Sequence, residues 1–470
     1  MRIAKLHAEN VHGYLPLDIA FFDEITFLTG LNGSGKTSAL RLLMALLTPN
    51  IEELGAITYT HATATVVDSG ETVEVSAHRT LDGVTVRISS SSEELRISSA
   101  ELELFQEAKR REGPRSPIVE KYLANAVYQA IKEMSTPMFL GLDRRFFIPG
   151  SLLEDSDEMR RREYLARRYW PEDPSFRNTT VAAGLIDVNF LVVSRMQEIR
   201  AAQEQLDERL RANFFAKAFE YKPSAFVGKP TRLPSRAELN KYREQLTKIE
   251  RASEGVKIPV PEIQVALTQF FEKMSHVVDS LNKSSEAQKG RRTSKKAAEK
   301  PKASQIVLDQ DYVEWIVNKP QADRIVEHLL TLEEYIENRN ALRDPITRFL
   351  SLVNGFFAQT KKQVAVASNG QLNVTVKGSE APRSISALSS GERQLLVMLA
   401  HLSLNPSLVG SGVFIVDEPE LSLHIDWQEK FVDAIREANP NVQLILATHS
   451  PAIILDRVDA ECSLNEDSKC

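Results

Sequence analysis

The sequence predicts an α/β protein: a mixed sheet and an adjoining antiparallel β-meander, carrying a large helical insertion with short coiled-coil segments. Three observations lead there. Short apolar runs at 25–28, 413–416 and 444–447 stand beside helical periodicities near the two ends of the chain. Residues 56–90 alternate β-branched and polar side chains. From about 155 to 350 the pattern turns helical and charged. The expected division is therefore 1–154, an insertion over 155–350, and 351–470.

In order along the chain, Ile25-Thr26-Phe27-Leu28 is an apolar run that stops at Gly30, and after Lys36 the residues Leu40, Leu43, Met44 and Leu47 recur at helical spacing. This reads as strand, glycine-rich loop, helix. The 56–90 stretch is broken by Ser69-Gly70 and Asp82-Gly83, which mark the turns of a meander. In the insertion, Ser235 and Glu238 have the spacing of a capping box. Leu239, Tyr242, Leu246 and Ile249 then form a seam for a partner helix, and Ile325, Leu329, Leu332 and Ile336 form another. Arms of roughly 20 residues, about 30 Å, are expected. Between the seams, 283–303 holds eight Lys or Arg against two Glu and no large apolar residue, the composition of a flexible linker. It is open to two readings, a solvated loop or a nucleic-acid contact gaining from counterion release. The same holds for Arg160, Arg161, Arg162, Arg167 and Arg168, interleaved with Tyr164, Tyr169 and Trp170: base stacking or ordinary amphipathic surface. After 350 the pattern returns to α/β, with a hairpin over 364–376 around Asn369-Gly370. Val413–Val416 and Leu444–Ala447 read as strands buried on both faces, and a helix over 426–438 has Trp427, Phe431 and Ile435 on one side.

The totals narrow the class. The chain has 470 residues, 42% hydrophobic and 26% charged, the profile of a globular protein. A net charge of −6 gives no global sign of nucleic-acid binding. The lack of an apolar run long enough to cross a bilayer, and of an apolar core in MRIAKLHAEN, argues against membrane spanning and export. Only Cys462 and Cys470 are present, which excludes a disulfide framework or a cysteine zinc hook in the body and makes the reducing cytoplasm the expected compartment.

The chemistry concentrates in four places. Gly30-Leu31-Asn32-Gly33-Ser34-Gly35-Lys36-Thr37, with Ser38 following, matches G-x-x-x-x-G-K-[ST] in full. Glycines let successive N–H groups converge on phosphate oxygens, and the following helix adds its positive end. Lys36 would reach the β- and γ-phosphates and Thr37 would ligate Mg²⁺. Asp417 and Glu418 end a four-residue apolar run, so a strand delivers Asp417 to the metal and Glu418 to an attacking water. Ser389-Ser390-Gly391-Glu392 opens a strongly apolar helix and offers a second anion-binding concavity. His449 follows the next strand, within Ala447-Thr448-His449-Ser450-Pro451.

In this order the four elements resemble the nucleotide-binding head of ABC-type ATPases. The resemblance covers about 50 residues at the N-terminal end and 85 at the C-terminal end. It implies that 388–394 is the signature sequence, that Ser389, Ser390, Gly391 and Glu392 close in trans on the γ-phosphate held by a second copy, and that His449 is the switch histidine. The wide separation of the loop from the signature, about 350 residues, resembles the SMC, Rad50, RecF and overcoming-lysogenization-defect (OLD) group. Asp417-Glu418-Pro419-Glu420-Leu421-Ser422-Leu423-His424 and the Ala-Thr-His-Ser-Pro segment are most similar to the OLD-type (AAA_15/AAA_21) ATPases of bacterial anti-phage systems. OLD nucleases add a Toprim domain, whereas few residues follow His449 here. The implied arrangement is that of Septu-type (including retron-associated) or PARIS-type ATPase subunits, whose partners are an HNH or a Toprim-like nuclease. No convincing glutamine-loop match is present; Gln106 is the candidate, and Gly141-Leu-Asp-Arg144-Arg145 is open to a nucleotide, interface or structural role.

The expected function is thus an ATP- and Mg²⁺-dependent ATPase that pairs with itself, senses infection (with DNA or a phage product as trigger) and controls a companion effector nuclease. The alternative is a RecF- or Rad50-like repair ATPase in which the nucleotide gates DNA binding; a scaffold that binds ATP without turnover fits less well with the full set Lys36, Asp417, Glu418 and His449.

Overall fold

A computed structural model of the chain describes residues 1–104, 121–141, 146–147, 180–219, 269–270, 272–273, 276–277, 280, 310–367, 370–378, 381–406, 408 and 412–464. They divide into two units, Met1–Gln197 with Pro345–Cys470, and Glu198–Asp344. Gln106, Arg144, Arg145, the 160–170 cluster, the capping box at 235–238 with its seam, and the 283–303 linker lie outside the described residues.

In the first unit, Arg2–Val11 (β1) and Leu15–Ala20 (β2) form an antiparallel hairpin. His61–Asp68 (β4), Glu71–Thr80 (β5), Gly83–Ile88 (β6) and Leu95–Ser98 (β7) follow as the expected meander, and β1 pairs with β4. The six-stranded antiparallel order is β2-β1-β4-β5-β6-β7. Ser69 and Gly70 both have positive φ, 50° and 89°, which lets a two-residue turn match the strand twist. Alternation buries Ala62, Ala64, Val66, Val75, Ala77 and Val86 on one face, in a core shared with Leu40, Leu43 and Leu47.

A second sheet is built from both ends of the chain. Ile25–Thr29 (β3), Met138–Leu140 (β8), Phe146–Phe147 (β9), Gly412–Asp417 (β13), Val442–Ala447 (β14) and Glu461–Ser463 (β15) stand in the order β15-β3-β14-β13-β8-β9. All pairings are parallel except β8–β9, so the sheet is mixed as expected. Every residue of β3, β13 and β14 is buried, which explains their uninterrupted apolar runs. The exception in β14 is Gln443, 1% exposed. Its amide accepts from the Ile3 N–H at 2.7 Å and donates to the Ile3 and Phe22 carbonyls at 2.8 and 2.9 Å, tying β1 to the second sheet.

The helices of this unit include Lys36–Leu47 (α1), Ile51–Ala56 (α2) and Ala126–Glu133 (α3). Two long helices, Thr180–Phe219 (α4) and Gln310–Phe357 (α5), run into the second unit. Lys362–Val366 (β10) and Leu372–Val376 (β11) form the expected hairpin, turning through Gly370 at φ 86°. Arg383–Ser384 (β12) pairs with β11. Ser390–Leu404 (α6) and Ile425–Ala438 (α7) follow, and α7 buries Trp427, Phe431 and Ile435 as its periodicity required.

Within the second unit α4 and α5 pair antiparallel. Tyr335 donates to Asp207 at 2.6 Å, His328 stacks on Phe214 at 4.6 Å, and Lys217 donates to Thr331 at 2.8 Å. At 40 and 48 residues these helices are about 60 and 70 Å long, twice the arms expected from the seams. The helix α5 extends well beyond the seam in both directions and continues through Pro320 and Pro345.

Candidate nucleotide site

The register of the parallel sheet assembles the site. Leu28 of β3 stands beside Ala447 of β14, which stands beside Asp417 of β13. The ladder continues past the strands: Thr448 N–H donates to Leu28 O at 3.1 Å, and Glu418 N–H to Ala447 O at 2.8 Å. Three chain segments, 30–37, 417–420 and 448–450, therefore leave the sheet at one carboxyl edge, where open α/β sheets hold their ligands. β8 ends opposite Val416 and brings Gly141 to the same edge.

Gly30, Gly33 and Gly35 have φ of 144°, 88° and 93°, backbone that a side chain would strain. A Cβ on Gly35 would also run into Leu15 of the β1–β2 turn. The helices α2, α3, α6 and α7 each receive a side-chain cap, from Asn50, Asn125, Ser389 and His424. Helix α1 starts at Gly35 with none, leaving its first-turn N–H groups available to an anion. Lys36 is 5% exposed and folds back over the loop, donating to the Gly30 and Leu31 carbonyls at 3.0 and 3.3 Å. Burial lowers its pKa, against the opposing pull of Glu418, Asp417 and Glu420. The Ser38 hydroxyl is 2.8 Å from His12 Nε2, so the β1–β2 turn braces the loop's flank.

Asp417 is 3% exposed and neither carboxylate oxygen has a hydrogen-bond partner among the described residues. Burial pushes its pKa up to about 6; Glu418 and Glu420 add to the rise, while the Thr37 hydroxyl facing it and Lys36 work against it. A buried carboxylate without a partner, beside a threonine hydroxyl and a phosphate loop, is a donor set that fits Mg²⁺, which takes one or two protein oxygens and completes its shell with water and phosphate. Glu418 is half-buried with φ 49° and ψ 61°, a left-handed conformation adopted although Pro419 follows, with its N–H bonded to Ala447. Such strain in a non-glycine residue persists where the surroundings fix it, most often at functional positions.

His449 is exposed, and its backbone N–H donates to Glu420 Oε1 at 2.7 Å. Thr448 Oγ1, fully buried, donates to Glu420 Oε2 at 2.8 Å. Sequence reasoning singled out Asp417 and Glu418 and passed over Glu420. Its signal was present as a third acid in Asp417-Glu418-Pro419-Glu420, two residues beyond the strand end.

The 389–392 segment caps α6. Ser389 Oγ accepts from Glu392 N–H at 3.4 Å, and Glu392 Oε2 accepts from Ser389 N–H at 2.7 Å. Ser389 and Ser390 are exposed and Gly391 half-buried, available to an external anion. Glu392 departs from the expected outward role: it is 2% exposed and accepts from Lys362 Nζ at 2.7 Å, so it shapes the cap from inside. Burial raises its pKa, but Lys362 and the Ser389 N–H prevail and hold it below the ordinary carboxylate value. Among the described residues, no hydrogen bond joins 389–392 to 30–38.

This fold and edge define a P-loop nucleotide-binding head split by a helical insertion. The chain belongs to the AAA_21 family, described as "AAA domain, putative AbiEii toxin, Type IV TA system", whose model matches residues 192–456. That span includes Asp417, Glu418 and His449 but begins after the phosphate loop. The chain is 31% identical over 131 residues to "Retron Vc95 probable ATPase" of Vibrio cholerae serotype O1 biovar El Tor, covering 26% of this chain and 24% of that protein. It is 32% identical over 91 residues to "Retron Ec83 probable ATPase" of Escherichia coli, covering 17% of each. It therefore spans a quarter or less of the length of these curated relatives. An Smc head domain with an extended coiled coil from Pyrococcus furiosus aligns over 96% of this chain and 91% of its own, at 12% identity and a TM-score of 0.37.

Proposed function

We propose that this chain binds and hydrolyses ATP with Mg²⁺, in composite sites between paired copies, as the regulatory ATPase of a bacterial anti-phage system that controls a separate HNH or Toprim-like nuclease. The observation that carries the ATPase reading is the partnerless, buried Asp417 at the same sheet edge as Lys36 and Thr37. In this reading the loop N–H groups and Lys36 bind the phosphates, and Thr37 and Asp417 hold Mg²⁺, which supplies charge neutralisation on the phosphate oxygens. Glu418 accepts a proton from the attacking water, and His449 contacts the γ-phosphate. The exposed Ser389, Ser390 and Gly391 meet the nucleotide of the second copy. The defence setting is supported by the retron names of the two relatives.

The composite site has a direct test. Lys36→Ala and Gly391→Asp subunits should each be inactive alone, yet a mixed dimer keeps one intact site and should recover part of the wild-type turnover. A verified mixed dimer with no turnover would rule out sites shared between copies.

A further inference from the structure

Glu420 is absent from the chemistry assigned above, yet it makes the two contacts that join the ends of β13 and β14. One oxygen accepts from the His449 backbone N–H at 2.7 Å and the other from the Thr448 hydroxyl at 2.8 Å. The network goes on from there. Thr448 Oγ1 accepts from Ser450 N–H at 3.0 Å, and Ser450 Oγ donates to Gln428 Oε1 at 2.6 Å. Gln428 Nε2 donates to the Leu423 carbonyl at 2.8 Å and the Glu420 carbonyl at 3.4 Å. Thr448 is 0% and Gln428 9% exposed, so the inner end of the network is shielded from water, while the His449 N–H bond to Glu420 lies at the surface. The left-handed turn at Glu418 followed by Pro419 folds 419–422 back toward β14 and gives Glu420 its reach. By contrast, among the described residues no hydrogen bond reaches the His449 imidazole. The direction of that side chain is therefore set by its backbone, and its backbone is held by Glu420.

We propose that Glu420 is a positioning residue for hydrolysis, fixing the segment 448–450 so that His449 is presented to the phosphate in one orientation. This rests on the ATPase reading above. A carboxylate suits the task because both of its partners are donors, and charge-assisted bonds of this kind are short and directional. Displacement of a reacting contact by about 1 Å can cost on the order of 100-fold in rate.

The test uses the full chain and six variants, with kcat, KM, nucleotide affinity and melting measured for each. Glu420→Ala should lower kcat roughly 10- to 100-fold, with nucleotide affinity within about threefold of wild type, since Lys36 and the loop are untouched. Glu420→Gln keeps an acceptor for His449 N–H and a donor for the Thr448 hydroxyl oxygen, so it should recover most of the loss. In a His449→Ala background, Glu420→Ala should cost nothing more, because two residues acting through one contact are not additive. Should Glu420→Ala fail to fold, Glu420→Asp, too short to hold both donors, carries the same test. Wild-type kcat in Glu420→Ala, a loss that multiplies with that of His449→Ala, or a Gln variant as impaired as Ala would each overturn the positioning role. Wild-type protein and Glu418→Gln separate this from the underlying reading: no ATP hydrolysis by the wild-type chain would sink the ATPase assignment, and normal hydrolysis by Glu418→Gln the assignment of the base, whereas an active wild type with an inactive Glu418→Gln beside an unimpaired Glu420→Ala sinks only the role of Glu420.

Discussion

Replacing Asp417 by Asn should make the ligand-free protein more stable while it abolishes Mg²⁺-dependent hydrolysis. Asp417 is 3% exposed with both oxygens unpartnered, and its pKa is pushed up to about 6 by burial first and by Glu418 and Glu420 next. An acid whose pKa is raised on folding opposes folding wherever it is ionised. A rise of about two units corresponds to about 3 kcal/mol, at roughly 1.4 kcal/mol per unit. The sign follows from proton binding: between about pH 4 and 6 the folded state holds the extra proton, so wild-type stability falls as pH rises through that window and the full penalty is present above it. The neutral amide removes the penalty but buries a donor that lacks a partner, at about 1 kcal/mol, leaving a net gain of about 2 kcal/mol near pH 8. The assay is denaturation of nucleotide-free, chelator-treated protein from pH 4.5 to 8, with and without Mg²⁺ and ATP. Asp417→Asn should be the more stable protein at pH 8, the two should converge near pH 4.5, and Mg²⁺ with ATP should stabilise wild type far more than the variant. A variant less stable than wild type at pH 8 without ligand would refute the reasoning.

Other perturbations test neighbouring parts of the site. Glu418→Gln should reduce hydrolysis by roughly 10²- to 10⁴-fold, the usual worth of a positioned general base, while equilibrium binding of ATP is retained. Gly35→Ala forces a side chain into backbone at φ 93° and against Leu15; it should cost about 2 kcal/mol of stability and weaken ATP binding at least tenfold by titration. Lys362→Met removes the cation beside Glu392, which is 2% exposed, and leaves it the bonds within the cap and the Thr360 hydroxyl. Discounting for the partly exposed lysine, the loss should be about 2 kcal/mol. Glu392 has a lowered pKa, so its stabilisation is present above the usual carboxylate value and is lost as pH falls through the lowered one. Acid unfolding of Lys362→Met should therefore begin at a higher pH than that of wild type.

The parts of the fold legible in the sequence are those where one force dominates. β3, β13 and β14 are buried on both faces, so their sequences are dominated by apolar side chains, with Thr26, Thr29 and Gln443 as polar exceptions and Asp417 at the functional edge. The loop at 30–37 is legible because positive φ at three positions favours glycine and because its Gly-Lys-Thr end matches a known motif. β1 and β2 were not read as strands, since their alternation is broken by the bulge between Ala8 and Val11. The lengths of α4 and α5 were missed because a seam reports where two helices touch, not where either one ends. Glu420 was missed because its role depends on β14 lying directly beside β13, a pairing between residues distant in sequence. The burial of Glu392 is not legible in sequence, because a capping box and a ligand-contacting acid look alike until packing is known.

The order of strands in the second sheet has a consequence for synthesis. Both neighbours of β3, namely β14 and β15, come from the far end of the chain. The strand that carries the phosphate loop leaves the ribosome with neither edge covered, and its first partner is translated roughly 420 residues later. At about 5–20 residues per second that is on the order of 20 to 80 s during which a largely apolar segment has no sheet to join. The antiparallel sheet has no such delay, because β1, β2 and β4 to β7 pair among themselves and are complete by Ser98. The nascent protein therefore acquires a folded β-lobe early and its nucleotide site last. A truncated product would hold the phosphate loop's sequence without the sheet that shapes it.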